Sequence, residues 1–182
     1  AVISGGAEMT GAARLAARAA RRVGAGLVTI AADAVAKDIY LAGDPGCMFS
    51  PLGLFEEAIS DPRRNAVLVG PGNGVVNETR LRVVTALRAQ KATVLDADAL
   101  TIFQDDPASL FNWIKGETVL TPHAGEFARL FDTSEDKVAD CRKAAAQSGA
   151  VVLLKGADTV IAAPDGRIAI NSNAPATLAT AG

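Results

Sequence analysis

Apolar, β-rich runs alternate with alanine-rich helical runs along nearly all of the 182 residues, and this alternation restricts the architecture more than any other feature. Val2–Ser4, Leu27–Ala31, Ala66–Gly70, Thr93–Asp96, Thr118–Thr121 and Ala150–Leu154 are near-continuous apolar runs, as strands buried on both faces of a parallel sheet should be. Gly11–Val23, Asn77–Ala89, Phe127–Phe131 and Glu135–Gln147 carry helical patterns between them, with Arg14, Arg18, Arg21 and Arg22 on the solvent side of the first. Strand, helix, strand at this spacing implies right-handed crossovers and a mostly parallel, doubly wound α/β sheet with helices on both faces. Thr159–Ala163, the turn Pro164-Asp165-Gly166 and Arg167–Ile170 predict a hairpin, hence an antiparallel C-terminal edge. Tyr40 to Pro51, rich in glycine and proline, is expected to be a surface loop.

Two strand ends carry chemistry. Thr118-Val-Leu-Thr-Pro-His-Ala-Gly-Glu126 stops at Pro122 and then presents the chain's single histidine and a carboxylate three residues apart. Val151-Val-Leu-Leu-Lys-Gly156 delivers a lysine and a glycine to a loop in the same way. Ligands of open α/β sheets bind at the carboxyl ends of strands, so His123, Glu126 and Lys155 suggest a site for an anion. A lone histidine is more often a buried, satisfied imidazole, but the following Gly125 and Glu126 favour a functional setting for His123. Glu126 also suits the first turn of a helix through the dipole alone. Asp96-Ala-Asp98 ends another strand, where Asp98 is expected to cap the next helix and Asp96, two residues earlier on the same side, is the functional candidate.

With 49% apolar residues and positive mean hydropathy, the chain can bury one substantial core, so residues 1–182 are expected to form a single domain. The net charge is −2 and the basic residues are scattered, which argues against a nucleic acid or an anionic membrane as partner. Cys47 and Cys141 lie far apart, and one histidine cannot anchor a conventional zinc site, so no direct metal ligand set is expected. Without a membrane-length apolar run or a secretory signal, a reducing cytoplasm is the expected compartment. The glycines of Gly70-Pro-Gly-Asn-Gly74 do not make a dinucleotide fingerprint, since Val75 stands where that motif needs glycine. Phosphate-loop and serine-hydrolase motifs are absent from the sequence.

Five segments in order, Gly5-Gly6 with Thr10-Gly-Ala12, Gly70-Pro-Gly72-x-Gly74, Leu95-Asp-Ala-Asp-Ala-Leu100, Leu120-Thr-Pro-His-x-Gly-Glu126 and Leu154-Lys-Gly-x-x-Thr159, resemble the ADP/ATP-dependent NAD(P)H-hydrate dehydratases. The likeness spans almost the whole chain. It implies the ribokinase-like fold, with Pro122-His-Ala-Gly-Glu126 matching that superfamily's Asn-x-x-Glu phosphate-and-magnesium motif and histidine in place of asparagine. It also implies a reaction, in which ADP or ATP phosphorylates the hydroxyl of the hydrated nicotinamide ring and loss of phosphate restores NADH or NADPH.

Carried onto this sequence, Ala12, Gly74 and His123 would line the pocket of the hydrated nucleotide. Lys155, Gly156, Ala157, Asp158 and Thr159 would hold the ADP or ATP donor, with Lys155 and Gly156 at its phosphates. Asp96 and Glu126 would contact Mg2+ or its water indirectly. Asn73 stands where the family usually has leucine, a mild change in a loop. The family's catalytic aspartate lies in a Gly-Ser/Thr-Gly-Asp motif whose first glycine matches Gly182, so no catalytic base is expected within residues 1–182 and the sequence is expected to be a fragment lacking C-terminal helices. The resemblance further implies a homotetramer and, as in many bacterial members, fusion to an N-terminal epimerase domain. Two other functions compete: a ribokinase-like kinase of a pyrimidine alcohol, thiazole alcohol or sugar, and a non-catalytic nucleotide-binding module. Pro122-His-Ala-Gly-Glu126 together with Lys155-Gly156 favours the dehydratase over the kinase, while Gly-Ser-Gly-Asp following Gly182 would separate an enzyme from the binding module.

Overall fold

The computed structural model describes residues 1–175 and 177, so the expectations attached to Leu178–Gly182 lie outside the described residues. In chain order, β1 (Val2–Ile3) leads to α1 (Gly11–Arg22), β2 (Val28–Ala32), α2 (Lys37–Gly43), β3 (Cys47–Pro51) and α3 (Phe55–Ser60). Next come β4 (Ala66–Val69), α4 (Asn77–Arg88), β5 (Ala92–Leu95), the one-turn α5 (Asp98–Thr101) and α6 (Pro107–Trp113). The chain then forms β6 (Thr118–Leu120), α7 (Ala124–Leu130), α8 (Lys137–Ser148), β7 (Val151–Leu154) and the hairpin β8 (Thr159–Ala162) to β9 (Ile168–Asn171). No helix among the described residues is long and apolar enough to cross a membrane.

All nine strands join one sheet in the order β3-β2-β1-β4-β5-β6-β7-β8-β9. Pairing is parallel as far as β7 and antiparallel from β7 through β9, as the sequence pattern predicts. The chain winds outward from β1 to β3, then restarts at β4 on the other side of β1. The loops after β1 and β4 therefore part at a topological switch point, the usual place for a crevice.

Alternation along each strand sorts side chains into two cores. Ile3, Val67, Val69, Leu95, Leu120, Val152 and Val160 face α3 to α8, where Phe103, Leu110 and Phe127 fill the layer. Val2, Val28, Ile30 and Ala32 face Ala13 and Ala17 of α1 and Tyr40 of α2. On this second face Val94, Val119, Val151, Leu153 and Ile161 are only half-buried, so helices of the described residues cover both sides only near β1 to β3.

The predicted loop from Tyr40 to Pro51 is instead the end of α2 followed by β3. Cys47–Pro51 pairs in parallel with all five residues of β2 and forms the sheet's edge. Pro51 is tolerated there because an edge strand leaves one row of amides unpaired, and glycine and proline punctuation hid a strand that is buried at only one residue, Cys47. Three short helices, α2, α3 and α6, also escaped the sequence reading, since each is too brief to show a helical period.

Candidate functional site

Every parallel strand points its carboxyl end at the same rim. Beyond β6 and β7 the ladder continues by one isolated parallel bridge between His123 and Lys155, with the Lys155 amide donating to the Pro122 carbonyl at 2.8 Å. The imidazole and the amine, expected to face one crevice, stand on adjacent strand ends of one rim, each side chain beside Glu126.

His123 is the N-cap of α7. Its Nδ1 accepts the backbone N–H groups of Gly125 at 3.0 Å and Glu126 at 3.3 Å, while Glu126 Oε2 accepts the His123 N–H at 2.9 Å. This is a reciprocal capping box with imidazole in the usual place of a hydroxyl. Acceptance at Nδ1 places the ring proton on Nε2, which lies 3.4 Å from Glu126 Oε1. The imidazole is not the buried ring of the simpler reading, since its side chain is 56% exposed against 7% for that of Glu126.

Lys155 reaches across two neighbouring strand ends. Its Nζ donates to Asp96 Oδ1 at 2.8 Å and stands 4.0 Å from Glu126 Oε2. Thr121 Oγ1 donates to the same Asp96 oxygen at 2.9 Å. Asp96, Glu126, His123 and Lys155 thus form one contiguous group, to which the structure adds Thr121, missed in the sequence because a strand-ending threonine carries no signal of its own.

The Asp96-Ala97-Asp98 turn corrects one expectation. Ala97, not Asp98, is the N-cap of α5, and it makes no side-chain cap. Asp98 Oδ2 instead accepts the Gly74 N–H at 2.8 Å. Ala97 has φ +50°, a conformation alanine rarely takes, and this reversal turns the two carboxylates apart, so they do not share a side. Asp96 faces Lys155 and Asp98 faces the glycine loop.

Gly74 itself is exposed, and Thr79 Oγ1 holds the loop by donating to the Gly74 carbonyl at 2.7 Å and the Asn73 carbonyl at 3.1 Å. Asn73 is buried, its Nδ2 donating to the Ile3 carbonyl at 2.9 Å and the Pro71 carbonyl at 3.3 Å, while Oδ1 finds no protein partner. The loop after β1 abuts this one. A Cβ on Gly5 would lie 1.9 Å from the Gly72 carbonyl oxygen, and one on Gly72 would lie 2.6 Å from that of Met9. Ala12, half-buried in the first turn of α1, follows three residues after Met9. Ala12 and Gly74 therefore sit on the switch-point side of the rim, and among the described residues no hydrogen bond joins them to the His123 group.

On the other side Gly156, Ala157 and Asp158 form the exposed β7–β8 turn, and Thr159 Oγ1 donates back to the Gly156 carbonyl at 3.3 Å. Lys137, the first residue of α8, pairs with Asp158 Oδ1 at 3.1 Å. Its hydrogen bond, with lesser help from Asp158's own backbone amide, holds the Asp158 carboxyl below the ordinary carboxylate range. A cavity of about 540 Å³ opens between this turn, Ala124, Phe127 and Ala128 of α7, and Thr133 to Glu135. Among the described residues no three His, Cys, Asp or Glu side chains gather to hold a metal by themselves. Asp96 and Glu126 nonetheless offer the hard oxygens that magnesium prefers when phosphates and water complete its shell.

A sequence profile described as NAD(P)H-hydrate dehydratase matches residues 1–182. The chain belongs to the NAD(P)H-hydrate dehydratase family. This dehydratase-family chain is 39% identical over 183 residues to a bifunctional NAD(P)H-hydrate repair enzyme of Mycobacterium tuberculosis, covering 100% of the chain and 37% of the relative. It is 38% identical over 192 residues to the ADP-dependent (S)-NAD(P)H-hydrate dehydratase of Neisseria meningitidis, covering 100% of the chain and 64% of that enzyme. Among solved structures, the ADP/ATP-dependent NAD(P)H-hydrate dehydratase of Bacillus subtilis, co-crystallized with ATP/Mg2+ and soaked with CoA, superposes with a TM-score of 0.83 at 28% identity. That match covers 98% of the chain and 67% of the neighbour. The ribokinase-like fold assignment holds as well, on the superposition of nearly the whole chain with these neighbours. The dehydratase-family chain spans about two fifths of the bifunctional relatives' length.

Proposed function

We propose that the protein restores hydrated NADH or NADPH at the expense of ADP or ATP. The observation that carries this reading is the His123–Lys155 bridge, which supports a nucleotide on one side of the group and a hydrated nicotinamide on the other. On this reading Ala12, Gly74 and His123 line the pocket of the hydrated ring. Lys155 through Thr159 hold the nucleotide, the Lys155 ammonium and the turn amides meeting its phosphates. Mg2+ is held by the nucleotide phosphates with Asp96 and Glu126 as indirect partners, and it supplies charge neutralisation when bound. The residues' task is positioning: Lys155, fixed by Asp96, and His123, fixed by its cap, keep phosphate and ring hydroxyl in line.

The same reading takes the catalytic base from a Gly-Ser/Thr-Gly-Asp segment and places the protein in the cytoplasm as a homotetramer. It also places an epimerase domain in the same polypeptide, in keeping with relatives that are bifunctional and of which the chain spans 37%. The test compares residues 1–182 with the same residues continued through that segment, each given hydrated NADH with ADP or ATP, and follows recovered NADH. Recovery only with the continued version is expected. Equal recovery would place the base within residues 1–182, and no recovery from either would sink the reading.

A further inference from the structure

Lys137 opens α8 at a position its helix disfavours. A cation in the first turn opposes the helix dipole, and the cap is already supplied by Asp136, which accepts from Val138 N at 3.0 Å and Ala139 N at 2.9 Å. Helix formation therefore does not account for this lysine. Its ammonium crosses instead to the β7–β8 turn, where it meets the Asp158 carbonyl and, at 3.1 Å, its carboxylate. It lies over Gly156, close enough that a Cβ there would sit 2.8 Å from Nζ.

Two ammonium groups, Lys137 and Lys155, therefore line the same cavity of about 540 Å³. They are not equally available. Lys155 is committed to Asp96 at 2.8 Å, with Glu126 at 4.0 Å, and these two carboxylates outnumber it. Lys137 has a single carboxylate partner, and Asp158 is 61% exposed, so that carboxylate can turn into water with little loss. A phosphate chain entering beside Lys155 brings more negative charge than Lys155 alone can offset, and a second protein cation released to it would act beside Mg2+.

We propose that Lys137 is this second cation, exchanging Asp158 for the distal phosphate of an adenine nucleotide and so setting the preference for di- and triphosphates over the monophosphate. The inference rests on the nucleotide reading of the Lys155–Thr159 turn.

Calorimetric titration of the 182-residue chain with AMP, ADP and ATP in the presence of Mg2+ tests it. Lys137→Met should weaken ADP and ATP by about tenfold and AMP by less than about twofold, with Lys137→Arg recovering most of the loss, because the removed bond is charge-assisted and made only to the added phosphates. Asp158→Asn, which frees the ammonium, should tighten ADP and ATP by about two- to threefold. Thermal melting without nucleotide checks that each variant folds. Equal losses for all three nucleotides would show that Lys137 merely latches the turn and would overturn the proposal, as would unchanged affinities in Asp158→Asn. If the unaltered chain binds none of the three, the nucleotide reading itself falls; if it binds them and Lys137→Met binds identically, only the role of Lys137 falls.

Discussion

Gly70 carries the tightest constraint of any single residue at the rim. Its φ is +131°, and a Cβ built there would lie 1.6 Å from the Asp96 carbonyl oxygen. Gly24 has a comparable φ of +107° with nothing near its Cβ position, so it shares the backbone penalty without the collision. Gly70→Ala should cost about 2–4 kcal/mol in urea unfolding, and Gly24→Ala only about 1 kcal/mol. Equal costs would mean that the approach of Asp96 is not what requires glycine. At this scale the sequence disclosed residues whose chemistry is local. His123, Glu126 and Lys155 follow buried strands, and a polar residue emerging from an apolar run is conspicuous. Asp98 was misassigned because its partner, the Gly74 amide, lies 24 residues away, and capping is a nearest-neighbour rule that takes no account of such contacts. Ala97 gave no sign at all, since a strained φ is imposed by the packing of two loops rather than by alanine.

At the scale of elements, α7 joins a structural duty to the proposed ligand-facing one through the same ring. His123 both caps the helix and leaves a half-exposed imidazole at the rim. Asparagine is a strong capping residue, whereas alanine is not. His123→Asn should therefore keep thermal stability within about 0.5 kcal/mol, while His123→Ala loses about 1 kcal/mol. Both variants should weaken binding of hydrated NADH, measured by calorimetry. Normal binding in His123→Asn would confine the histidine to capping. The elements themselves were legible where they were long or fully buried, as with α1, α4, α8 and the central strands. The strand β3 was not, because burial on one residue in five leaves no apolar run to recognise.

Across the whole molecule, several surface carboxylates are held in their charged form by neighbours. The Arg63 guanidinium beside Asp61 lowers its carboxyl to about 2, while Lys137 lowers that of Asp158, and the Arg167 amide and guanidinium lower that of Asp165. A depressed carboxyl binds fewer protons folded than unfolded, so its contribution is complete above the ordinary range near 4 and disappears as pH falls toward 2. The contribution of these carboxylates to urea midpoints should fall below about pH 4, and Asp61→Asn should make that fall shallower. A midpoint that rises on acidification would contradict the assignment. The sheet order, with its switch between β1 and β4, was foreseeable only as a class of fold, because strand order is decided by long-range pairing that periodicity does not encode.

On the proposed nucleotide reading, the hydrogen bond from the Lys155 amide to the Pro122 carbonyl also bears on how the site would receive its ligand. Two arms that share a peptide-to-peptide link cannot drift apart between encounters, so little freedom remains to be lost when a nucleotide settles against them. Separating them would mean unzipping the ends of β6 and β7, and the frame proposed to hold the phosphates is therefore as durable as the sheet that carries it.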